Sequence, residues 1–90
     1  MNKIIHDPFT YFMPKIDLHG ETTDTFKYVL ECFINDNIKL GNEFIIAIHG
    51  KGSGALKKAV MDYLKRNKDV IDFNMDPLNE GQVIIKIKLQ

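Results

Sequence analysis

The sequence predicts an α/β protein of the α+β two-layer kind. Its order is βαβαββ, with a four-stranded mixed sheet and two helices on one face. Three observations lead there. Phe26, Val29, Leu30, Phe33, Ile34 and Ile38, and then Leu56, Ala59, Val60, Tyr63 and Leu64, recur at three- and four-residue spacing, which gives two amphipathic helices. Phe44–Ile48 is apolar without alternation, the pattern of a central strand covered on both faces. From Gln82 to Leu89, Val83, Ile85, Ile87 and Leu89 alternate with polar residues, so this strand has one face inward.

Residues 1–13 show no period but hold Phe9, Tyr11, Phe12 and Met13. They read as an extended arm, bounded by Pro8 and Pro14, that packs on the domain or on a partner. The domain proper is residues 14–90. Lys15–His19 is the first strand, with Ile16 and Leu18 on one face and Asp17 and His19 on the other. Thr22 or Thr23 is placed to cap the first helix, with Asp24 in its first turn, and Gly41 to end it. Glu43–Ile48 is the second strand. Ser53 is the expected N-cap of the second helix. Val70–Met75 is the third strand, residues 76–81 a turn, and Gln82–Leu89 the fourth strand, closing a hairpin. Both crossovers are expected to join parallel strands with a right-handed turn.

Ninety residues with 44% hydrophobic and 27% charged content fit one modest globular core. The single cysteine, Cys32, excludes an internal disulfide, and no Cys/His spacing suggests a zinc site. A reducing cytoplasmic setting is expected. No signal peptide or membrane span is evident; the longest apolar run is Phe44–Ile48. Net charge is zero, but it is unevenly distributed. Residues 49–68 carry Lys51, Lys57, Lys58, Lys65, Arg66 and Lys68 against Asp62 alone, a basic element able to meet a polyanion. The plainer reading is a solvated helix face.

The chemistry concentrates in His49-Gly50-Lys51-Gly52-Ser53-Gly54. A buried strand feeds this loop and a helix leaves it. Glycines allow close backbone approach, and unpaired N–H groups at a helix start attract an anion. Lys51 adds a cation, and His49 a group that titrates near neutrality. Asp17 and His19, about 6.7 Å apart along one strand face, reach the same sheet edge if the first two strands are parallel neighbours. An acid, two imidazoles and a phosphate cradle suit cleavage of a phosphodiester, with His or Asp activating water or a 2′-hydroxyl. Each element also has a bland reading: a hydrogen-bonded pair at a strand end, a histidine that merely caps its strand. Gly50, Gly52 and Ala55 also fit a dinucleotide fingerprint. The chain is too short for two nucleotide-binding halves, so a small-molecule nucleotide enzyme ranks third.

Ile16-Asp17-Leu18-His19-Gly20 and His49-Gly50-Lys51-Gly52-Ser53-Gly54-Ala55-Leu56, with Tyr63-Leu64-Lys65-Arg66 after them, together resemble the Smr (small MutS-related) domain. The loop and helix look closest to the form at the C-terminus of bacterial anti-recombination MutS paralogues. The resemblance implies a fold like the C-terminal domain of translation initiation factor three. It implies nucleic-acid binding and, in several members, endonuclease activity: DNA nicking linked to repair and recombination, or RNA cleavage at stalled ribosomes. Carried over by position, it places catalytic groups at Asp17, His19 and His49. Phosphate or nucleic-acid contacts fall on Gly50, Lys51, Gly52, Ser53, Gly54, Lys57 and Lys58. A divalent metal, Mg or Mn, is left open as a cofactor, as are DNA against RNA and oligomeric state. The alternative is a non-catalytic module docking on branched DNA or the ribosome. Asn79-Glu80-Gly81-Gln82 lacks the family's usual G-x-G-x-T, which puts a backbone contact in question. The chain is read as a stand-alone domain with no attached MutS ATPase.

Overall fold

The computed structural model describes residues 12–52 and 54–89. Ser53 and residues 1–11, most of the expected arm, lie outside the described residues. The elements are β1 (Lys15–Asp17), α1 (Phe26–Leu40), β2 (Phe44–Ile48), α2 (Ala55–Arg66), β3 (Val70–Asp76) and β4 (Asn79–Ile87). The sheet order is β1-β2-β4-β3, with β1 and β2 parallel and β4 antiparallel to both of its neighbours. The expected βαβαββ mixed sheet is therefore present. One detail differs: β3 runs parallel to β2 but does not touch it, because β4 is inserted between them. An antiparallel β4 can pair with both strands at once, and the hairpin from β3 carries it there.

Register fixes the two faces. Ile45 pairs with Ile85 and Ala47 with Val83, and these join Leu18, Phe26, Leu30, Ile34, Val60, Leu64 and Ile87 in one core under the helices. Ile46 pairs with Ile84 and so points to the opposite face, yet it is 0% exposed. That is what an apolar run without alternation foretold: β2 is buried on both sides. The rings of Phe26 on α1 and Tyr63 on α2 meet edge to face, with centroids 5.8 Å apart.

Several boundaries shift for local reasons. β1 stops at Asp17 because the Asp17 carboxylate takes the backbone N–H of His19 and turns the chain outward. Leu18 still donates to the Ile48 carbonyl at 2.7 Å. α1 begins at Phe26, so Asp24 lies in the preceding turn rather than in the first helical turn. Thr22 organises that turn, its hydroxyl accepting the N–H groups of Asp24 and Thr25. Gly41 ends α1 as expected, at φ 79° with its N–H on the carbonyls of Asn37 and Ile38. α2 is not capped by the residue the sequence suggested. Gly54 holds the N-cap position at φ 90°, a left-handed conformation that suits glycine. β4 starts three residues earlier than its alternation indicated. The hairpin turn is only Pro77–Leu78, and Lys88 and Leu89 lie past the strand.

Candidate functional site

The parallel pairing of β1 with β2 brings the Asp17 position beside Ile48, one residue before His49. Asp17 and His19 thus reach the edge of the sheet where the glycine loop begins. They form a couple. The Asp17 Oδ1 accepts both the backbone N–H of His19, at 3.0 Å, and its ring Nδ1, at 2.5 Å. These two donors hold the Asp17 carboxyl below the usual carboxylate range. A carboxylate on Nδ1 fixes the tautomer with its proton there. The other ring nitrogen, Nε2, bonds to no described residue, and the side chain is largely exposed.

His49 is placed differently. It is only 4% exposed, its Nδ1 lies 2.9 Å from the Gly50 carbonyl, and its Nε2 is shut from solvent without a partner among the described residues. A carbonyl only accepts, so Nδ1 carries the proton. The geometry therefore separates the two imidazoles. One is open and tied to a carboxylate; the other is interior and tied to the loop backbone.

The loop is clamped from β4. The Gly81 carbonyl accepts the N–H groups of both His49 and Gly50, each at 2.9 Å. A Cβ at Gly81 would lie 3.2 Å from the Asn79 side-chain oxygen and 3.3 Å from the Lys51 Cγ, so only glycine fits without displacement. Behind it, the Gln82 side-chain amide donates to the buried Asp76 carboxylate at 2.8 Å, while the other Asp76 oxygen accepts the Leu78 N–H. This buried pair braces the hairpin that carries Gly81. Gly50 itself sits at φ 86°, where a Cβ would come within 3.4 Å of the His19 Cβ.

His19, Glu21, His49, Gly50, Lys51, Gly52, Gly54, Leu56 and Lys57 line a cleft of about 340 Å³ at the start of α2. No described side chain caps that helix, and its N-terminal end borders the cleft. Of the residues singled out by sequence, the cleft gathers His19, His49, Gly50, Lys51, Gly52, Gly54 and Lys57. Asp17 stands behind His19. Lys58 is exposed on α2 outside the lining, and Ser53 is outside the described residues. Sequence reasoning missed Glu21, Leu56 and the bracing pair Asp76–Gln82, since none of them belongs to a spacing with chemical meaning. Among the described residues, no three His, Cys, Asp or Glu side chains are placed to hold a metal ion.

The fold and the site define a class: a two-layer α+β domain whose parallel strand pair ends on a glycine loop and a helix start beside an Asp–His couple. A model of the Smr domain matches residues 16–87, and the chain belongs to the Smr domain family. It is 37% identical over 73 residues to Endonuclease MutS2 of Helicobacter pylori, a match covering 81% of this chain but 10% of that protein. The chain thus spans about a tenth of the length of the MutS2 relatives it matches. The Smr domain of Thermus thermophilus MutS2 superposes with a TM-score of 0.81 at 26% identity, covering 84% of this chain and 99% of the other. The fold is also that of YdaL, a stand-alone small MutS-related protein from Escherichia coli. There the TM-score is 0.76 at 17% identity, with 82% of this chain and 63% of the other covered. No helix among the described residues is long and apolar enough to cross a membrane.

Proposed function

We propose that this Smr domain binds nucleic acid and cleaves its phosphodiester backbone as an endonuclease. The observation that carries the reading is the Asp17–His19 couple, whose open Nε2 borders the same cleft as the glycine loop and the start of α2. A scissile phosphate in the cleft would meet the helix dipole and the ammonium groups of Lys51 and Lys57, which offset charge developing on phosphorus. His19 Nε2 takes the proton of the attacking oxygen, from water or a ribose 2′-hydroxyl, as that oxygen bonds to phosphorus. Asp17 holds the ring and stabilises the imidazolium. The bond to the leaving oxygen then breaks, and that oxygen is protonated. His49 in this reading is a positioning residue, not a catalytic one: it ties the loop backbone and offers no accessible nitrogen. The relatives named Endonuclease MutS2 support the same chemistry.

The test is a cleavage assay on supercoiled plasmid and structured RNA, comparing the wild type with Asp17→Asn and His19→Ala purified alike. A loss of at least a hundredfold in both variants is expected, in line with removal of a general base, which is worth about 10²–10⁴-fold. Undiminished cleavage by His19→Ala would refute the assignment. Binding that persists without any cleavage in the wild type would instead identify a non-catalytic docking module for branched DNA or ribosomes.

A further inference from the structure

A cavity separate from the cleft is larger than it. It lies at the other end of the sheet, has a volume of about 500 Å³, and is lined by residues of α1, of the α2–β3 turn and of the segment after β4, among them Lys39, Lys68, Asp69 and Lys88. Three ammonium groups face one carboxylate there. Lys39, Lys68 and Lys88 have no ion pair among the described residues. Lys39, in the last turn of α1, also offsets the negative end of that helix. Lys68 sits two residues past the end of α2, at the negative end of that helix, and only Lys88, beyond β4, is left without such an account.

A furrow leads to this cavity. Both helices start at the cleft end of the molecule and run toward the far end. Along their seam, one depression is lined by Phe26, Lys27, Asp62, Tyr63 and Arg66, and the next, which Glu31 also lines, shares Tyr63 and Arg66 with it. That second depression in turn shares Lys68 and Asp69 with the cavity. The seam carries both signs, Lys27, Arg66 and Lys68 against Glu31, Asp62 and Asp69, with the Tyr63 ring among them; cations beside an aromatic ring can hold a single nucleic-acid strand without reading its sequence. From Gly81 at the cleft to Lys88 is seven strand residues, about 23 Å, or roughly seven nucleotide steps of a stacked strand.

We infer that Lys39, Lys68 and Lys88 form a second phosphate site, which anchors a single polynucleotide strand leaving the cleft along the α1–α2 seam. The inference rests on the proposed function for its ligand and goes beyond it by naming a separate anchor. Binding would then rise with strand length in a step once the strand reaches the cavity.

The test measures fluorescence anisotropy of labelled oligothymidylate and oligouridylate, about four and about twelve nucleotides long, across a salt series. It compares the 90-residue chain with Lys39→Gln/Lys68→Gln/Lys88→Gln and with Lys51→Gln/Lys57→Gln, each verified as folded by circular dichroism. For the wild type, the longer strand is expected to bind at least tenfold more tightly. The far-end variant should lose that step and flatten the slope of log affinity against log salt by about 2, at roughly 0.7 per phosphate contact. The chemistry of the longer strand that shows the step, deoxyribose or ribose, identifies the source. An unchanged step and slope in the far-end variant would overturn the second site, while weakening in the cleft variant would leave the proposed function standing. Loss confined to the far-end variant would support the anchor and count against the cleft. No binding by the wild type would overturn both.

Discussion

Gly50 and Gly52 are two residues apart in one loop, and the structure assigns them opposite tolerances for a methyl group. Gly50 has φ 86°, and a Cβ there would press to 3.4 Å from the His19 Cβ; Gly52 has an ordinary φ and nothing within 4 Å. A non-glycine residue in the left-handed region costs about 1–2 kcal/mol. Gly50→Ala should therefore lower stability by about 1–2 kcal/mol. For a domain of this size that is a fall in Tm of roughly 4–16 °C, taking about 4–8 °C per kcal/mol. The methyl meets the His19 Cβ at about contact distance, so backbone strain at Gly50 and not a clash carries the loss. Gly52→Ala should be neutral or stabilising by up to about 1 kcal/mol, because it removes only freedom of the unfolded chain. Calorimetric unfolding of the three proteins, with plasmid nicking measured at a temperature where all are folded, makes the comparison. Equal Tm values for wild type and Gly50→Ala, or a larger loss in Gly52→Ala, would refute the loop geometry.

Leu30→Ala removes a side chain that is 0% exposed in the middle of the core, and should cost about 2–5 kcal/mol in urea unfolding. Gln82→Leu leaves the buried Asp76 carboxylate without its amide donor. It should cost about 1–3 kcal/mol and broaden the amide resonances of His49 and Gly50, which hang on the Gly81 carbonyl next door. The Asp17 carboxyl is held below its ordinary value by its two His19 donors. Its contribution to stability is therefore present above the unfolded-state value and is lost as pH falls through the lower folded value. Carbon-detected NMR titration should place the Asp17 midpoint below that of an unstructured aspartate, and His19→Ala should raise it; a midpoint unmoved by that substitution would break the couple.

The pattern of apolar residues determined the elements and their order. The unbroken run Phe44–Ile48 marked the central strand, and the two helical stripes marked the layer above it. Asp17, His19 and the glycine loop were legible because each is a local motif whose spacing has a chemical meaning. What the sequence could not determine was everything that depends on residues meeting from distant parts of the chain. The glycine of Asn79-Glu80-Gly81-Gln82 read as the remnant of a motif, and only the pairing of β4 against β2 showed its carbonyl gripping His49 and Gly50. His19 was expected to supply acid–base or metal-binding chemistry and His49 to help position the phosphate, with the part of His49 in the chemistry left open. Burial separates them, since burial is set by the strands on either side and not by the residue's neighbours in sequence. The N-cap of α2 went to Gly54 because the loop must turn through a left-handed conformation to deliver the chain into the helix. Lys39, Lys68 and Lys88 are scattered along the chain over fifty positions and gather only because both helices and β4 end on the same side of the sheet. Local chemistry is written in adjacent residues; which groups share a cleft is decided by strand order and register.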